Sequence, residues 1–224
     1  MNHITEFDNL TKATRRREFE DGLMDYVFGG TFLIIGLLGW FFFSSFGLRW
    51  FIASLLQNRE ITIIVLVTIF LLLILLIFGV RRAIEHIRRQ TLWKNRGFVK
   101  SLRWQVSWQI NALAGAMAIA MIVIAVWLYS NGYVIQEIVL RTLVSSGGVA
   151  TGIVFFGMGK ALDLQRYKWA GIVGGMLSAL IILIPISFSI SWLVLGTVWM
   201  IVLAFSGSWA LRKSILALRE QDSE

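Results

Sequence analysis

Six long apolar runs divide the chain, and the basic residues between them are sorted almost wholly to one side. Eighteen of the 21 Lys and Arg fall in the first 26 residues, the connections after the second and fourth runs, and the C-terminal tail. Only Arg49, Arg59 and Arg141 fall in the other three connections. A helix of about 20 apolar residues crosses the roughly 30 Å hydrocarbon core of a bilayer. Short loops rich in Lys and Arg are retained on the cytoplasmic side. The pattern predicts an all-α polytopic membrane protein with six transmembrane helices in three hairpins and cytoplasmic N and C termini.

The spans are expected at residues 27–46, 61–80, 106–129, 140–159, 169–188 and 190–211, after a cytoplasmic N-terminal arm (1–26) and before a cytoplasmic tail (212–224). Composition agrees: 57% of residues are hydrophobic, mean hydropathy is +0.74, and there is one proline. The absence of cysteine excludes disulfides and thiolate metal sites. No cleavable leader is expected, because the first 26 residues hold no apolar core. Phe19, Leu23 and Tyr26 or Val27 recur at helical spacing, so the arm is either a short interfacial amphipathic helix or a charged segment of no fixed shape. Pro185, near the outer end of span five, should free a carbonyl one turn back, for Ser187, Ser189 or water to satisfy. Trp199 falls mid-span, away from the interfacial tryptophans, and is expected to fill bundle space.

Phe78-Gly79-Val80-Arg81-Arg82-Ala83-Ile84-Glu85 echoes Phe156-Gly157-Met158-Gly159-Lys160-Ala161-Leu162-Asp163. Either a two-span hairpin is duplicated, or both segments simply end a helix leaving the membrane.

Little here specifies a reaction. No ionisable residue lies in a span core, where transporters and membrane enzymes carry them. Asp25, Arg141 and Asp163 stand at span ends and are expected to be solvated by headgroups. No paired carboxylate, His-Glu-x-x-His or nucleophile elbow occurs. The expectation is a non-enzyme with no cofactor and no metal.

The small residues Gly148 and Gly152, and Gly171 and Gly175, form two Gly-x-x-x-Gly pairs on which helices can approach closely, within the subunit or between copies. With Ala112, Ala116 and Ala120 beside Gly115, they mark spans three to five as the expected bundle interior. A polar pathway there would draw on Asn111, Ser145, Ser146 and Thr151, with Glu137 and Arg141 as an i,i+4 ion pair at its outer end. The loop of Arg81, Arg82, Arg88, Arg89, Lys94, Arg96, Lys100 and Arg103 carries one acid, Glu85. Placed between two spans, it suits anionic headgroups or a protein partner rather than nucleic acid.

At Glu18-Phe19-Glu20-Asp21-Gly22-Leu23 and Arg96-Gly97-Phe98-Val99-Lys100, the chain resembles a loose group of uncharacterised bacterial multi-span membrane proteins. These have an acidic D-G-L entry into the first span and a basic G-aromatic-V-K loop after the second. The resemblance implies a bacterial cytoplasmic membrane and carries no activity. Two functions remain open. One is a non-catalytic membrane subunit or scaffold with a basic cytoplasmic face, alone or as a homodimer. The other is a small transporter or channel for a neutral or weakly polar solute through spans three to five.

Overall fold

The computed structural model describes residues 16, 19–88 and 107–221, and the described chain is helical throughout apart from short turns. Seven helices follow in order: α1 Leu23–Phe43, α2 Ser45–Gln57, α3 Arg59–Ile87, α4 Trp108–Ser130, α5 Gln136–Ala161, α6 Gln165–Leu180 and α7 Phe188–Gln221. Five of them (α1, α3, α4, α5 and α7) are long and apolar enough to cross a membrane.

Two departures from the expected spans have local causes. Ser44, extended at φ −72° and ψ 155°, interrupts the first run. Its hydroxyl donates to the Phe41 carbonyl (2.7 Å) and accepts from the Gly47 amide (3.0 Å), starting α2 where only a loop was expected. At the other end, span five is a 16-residue helix, about 24 Å long. The residue before a proline is driven out of the α region, so the chain leaves the helix ahead of Pro185 in tight i→i−3 turns. The Ile181, Ile182 and Leu183 amides donate to the Ser178, Ala179 and Leu180 carbonyls at 3.0–3.3 Å. Seven residues, not one, separate α6 from α7. Within the expected tail 212–224, α7 continues to Gln221.

The interior lies between α1, α5, α6 and α7 instead of among spans three to five. α1 lies along α7, and glycines make the approach close. A Cβ on Gly36 would stand 2.9 Å from Gly196 Cα and 2.7 Å from the Trp192 carbonyl oxygen, and a Cβ on Gly196 meets Gly36 reciprocally. Gly22 meets Gly207 in the same way, and Gly29 lies on Met200. α5 and α6 repeat the device: a Cβ on Gly152 would be 2.8 Å from Gly175 Cα and 2.7 Å from the Gly171 carbonyl oxygen. Gly152 therefore packs on both glycines of the second pair inside one chain, while Gly148 faces Ser178 and Leu195.

Between these pairs sits Trp199, fully buried as expected, stacked on Phe32 (5.4 Å) and Phe155 (5.3 Å), with its indole N–H donated to Ser178 Oγ at 3.2 Å. α4 packs on α5 through Ala114 and Ala125, while Ala112, Ala116, Ala120 and Gly115 face outward. That corrects their assignment to the interior. Among the described residues, α3 makes its substantial contacts with α1 and α2.

The internal echo does not mark equivalent hairpins. α4 and α5 pack closely across a short turn, whereas α2 intervenes between α1 and α3, which touch little. Phe78 and Gly79 are exposed, while a Cβ on Gly157 would strike the Ile110 side chain at 2.5 Å.

Gly36→Leu is expected to destabilise the chain by about 1–3 kcal/mol or more, because the obstruction is backbone that cannot move aside. Gly79→Leu and Gly115→Leu, which meet nothing within 4 Å, should stay within about 0.5 kcal/mol of the parent. Thermal unfolding of the three variants in one detergent compares them directly, and equal midpoints would refute the glycine contact.

Candidate functional site

The charges that the sequence puts at helix ends do not all remain on the surface. At the end of the bundle where α1 and α6 begin, Asp25 is fully buried. Its carboxylate accepts from the Tyr167 hydroxyl and, at 2.8 Å, from Ser206 Oγ. The Arg166 guanidinium stands 3.7 Å away and lies over the Tyr167 ring at 4.9 Å. Asp21, four residues earlier, is buried too and takes a two-point contact from Arg88: Nε at 2.5 Å to Oδ2 and Nη2 at 2.8 Å to Oδ1. Two carboxyl groups and two guanidiniums thus form a cluster joining the entry to α1 with α6, α7 and the end of α3.

The local chain explains how the acids are presented. Asp21 Oδ1 accepts the Leu23 amide (3.1 Å), closing an Asx turn at the start of α1. Gly22 holds φ +77°, and a Cβ there would lie 2.4 Å from the Gly207 carbonyl oxygen, so only glycine lets the turn rest on α7. Phe19 is buried edge-on to Tyr167 (centroids 6.0 Å). The segment 19–22 is therefore docked against the bundle. The rest of the N-terminal arm, 1–15 and 17–18, lies outside the described residues.

Among the basic residues expected to contact lipid or a partner, Arg82 is exposed and Arg88 is not, because Asp21 takes it inside. The Arg81 side chain and the whole of Arg89, Lys94, Arg96, Lys100 and Arg103 lie outside the described residues. The six pathway residues are not brought together. Asn111 and Glu137 are exposed on different helices. Ser145 donates to the Ser178 carbonyl (2.7 Å), while Ser146 and Thr151 donate within α5 to Leu143 and Gly147 (both 2.8 Å).

The expected Glu137–Arg141 ion pair does not form. Arg141 is buried and reaches the Glu137 main-chain carbonyl (3.4 Å), while Nη1 donates to the carbonyls of Ile184 and, at 3.5 Å, Ile182. It satisfies acceptors left by the break before Pro185, a task expected of the serines and water.

Arg166 is the one member of the cluster left short. Its three guanidinium nitrogens are buried without a hydrogen-bond partner. Among the described residues no group of three His, Cys, Asp or Glu side chains could hold a metal. The cluster is invisible to sequence reasoning because its hydrogen-bonded partners lie up to 181 residues apart. One signal is available: Asp25 falls only two residues into an apolar helix, where a carboxylate needs partners. Comparison with family models, with curated proteins and with solved structures found no match.

Asp25→Asn leaves Arg166 without a counter-charge and is expected to cost about 3–5 kcal/mol. Tyr167→Phe, which removes one donor and keeps the ring, should cost about 1–3 kcal/mol. Combining Asp25→Asn with Arg166→Gln should recover part of the first loss. Additive losses in unfolding experiments would show that the two groups do not act as a pair.

Proposed function

We propose that the chain is an integral protein of a bacterial cytoplasmic membrane, crossing it six times with both termini inside, and that it serves as a non-catalytic membrane subunit or scaffold. The observation that carries this reading is how completely the interior consumes its own polar groups. Ser145, Ser178, Ser206, Tyr167 and the Trp199 indole all spend their hydrogens on internal partners. Buried side-chain nitrogens without partners are confined, among the described residues, to Arg166 and Trp192. Outside, α3 and α4 present large apolar surfaces; Ile64, Leu75, Phe78 and Ile119 are each more than 60% exposed. Such faces suit lipid and partner helices.

The sixth crossing rests on α6 and the turns that succeed it. About 24 Å of helix and the stretch to Ile184 together approach the hydrocarbon thickness. Non-helical backbone at membrane depth is tolerated where protein satisfies it, and Arg141 does that here. The orientation rests on charge: Arg82, Lys168, Arg212 and Lys213 belong to the end that holds the Asp25 cluster.

The rival, a transporter or channel through spans three to five, would need a polar route that Ser145, Ser146 and Thr151, already bonded, do not supply. Reporter fusions at Glu224 and in the 131–135 turn are expected to respond from opposite faces. Purification from native membrane should bring down a stoichiometric partner or a second copy. Saturable solute flux by the reconstituted chain would instead establish the rival.

A further inference from the structure

A second feature stands apart from the buried cluster, on the outside of the α1–α7 pair. There a cleft of about 470 Å³ is lined by Tyr26 of α1 and by Ser208, Leu211, Arg212, Ile215 and Leu216 of α7. Its size falls within the range of small-molecule sites. We propose that this cleft seats one anionic glycerophospholipid, its phosphodiester on Arg212 and the upper part of the lipid against Leu211, Ile215 and Leu216.

Depth in the membrane supports this seat. Trp192 packs with Phe43 and Phe188 at the opposite end of the pair. Counting about 20 residues along α7 from Trp192, at roughly 1.5 Å each, spans the hydrocarbon core and reaches Arg212. Trp209, well exposed one turn short of it, fits an interfacial tryptophan. The cleft thus lies at headgroup level, on the face assigned above to the cytoplasm, and the proposal rests on that reading for its membrane side.

Charge supports it independently. Arg212 and Lys213 are exposed, and no described acid lies within ion-pair distance of either. Exposed aliphatic side chains beside an uncompensated guanidinium match an amphiphile with a negative head. A free inorganic anion would leave the aliphatic side chains uncovered.

The hydroxyls refine the choice of head. Ser208 Oγ donates to the Ala204 carbonyl at 2.7 Å. Tyr26 and Ser208 share a hydrogen bond of 2.6 Å, so Tyr26 must be its donor. With both hydrogens spent, this wall offers acceptors only. It complements a head that carries its own O–H donors, such as phosphatidylglycerol, whereas a quaternary ammonium has no hydrogen to donate to these acceptors.

Native mass spectrometry of the full chain, equilibrated in mixed phosphatidylglycerol and phosphatidylcholine micelles, tests this. One retained phosphatidylglycerol per chain is expected, with about a fivefold preference resting on Arg212. Arg212→Ala should bring the preference close to parity without shifting the unfolding midpoint. The pair Ile215→Ser and Leu216→Ser should abolish retention, and millimolar inorganic phosphate should not compete. A preference unchanged in Arg212→Ala, displacement by inorganic phosphate, or a polypeptide instead of lipid crosslinked from Leu216→Cys would overturn the proposal. Labelling Lys213→Cys, exposed and outside the cleft lining, from either face of intact cells tests the orientation separately. An outward-facing Cys with intact lipid preference would refute the topology and leave the lipid site standing.

Discussion

The backbone-to-backbone approach of α1 and α7 organises everything else in this chain. Gly22 against Gly207, Gly29 against Met200 and Gly36 against Gly196 let the first and last membrane helices touch where side chains would hold them apart. In a lipid environment the hydrophobic effect does not drive helices together, so contact depends on packing and on hydrogen bonds. Small residues supply the first. The second depends on them: with the axes this close, Ser206 of α7 reaches Asp25 of α1, and Tyr167 and Arg166 of α6 close over the same carboxylate.

The buried charges divide the work by position. At one end, Asp21 and Arg88 attach the end of α3, which otherwise packs sparsely, to the entry of α1. At the other, Arg141 holds the carbonyls of the segment between α6 and α7. Each places a guanidinium where backbone or carboxylate oxygens would otherwise be bare, and a guanidinium offers five donors in a fixed fork for that purpose. Arg166 departs from this economy because its donors are unspent. Its charge is held by an ion contact with Asp25 and by the Tyr167 ring face in place of hydrogen bonds.

Much is legible in the sequence at the level of single helices. The lengths and hydropathy of the runs locate α1, α3, α4, α5 and α7. The out-of-place Trp199 does fill the bundle, and the glycine pairs of α5 and α6 are packing surfaces. The choice of interior helices is where sequence reasoning fails. Span three has as many small residues as a buried helix would, yet Ala112, Ala116 and Ala120 face out. Small residues permit close approach, and whether a neighbour uses the opportunity is not written in their spacing. Gly22, Gly29 and Gly36, successively seven residues apart, are equally visible but match no Gly-x-x-x-Gly pattern, so they give no such signal.

By itself the order of residues determined which segments form long apolar helices and how the basic side chains are sorted between alternate connections, because both are properties of local composition. Only the tertiary structure decided that α1 pairs with α7, that Asp25 and Arg88 go inside, and that Arg141 turns from Glu137 to the carbonyls of another segment. Those outcomes depend on atoms far apart along the chain meeting within about 3 Å, the range over which hydrogen bonds and ion contacts select a partner.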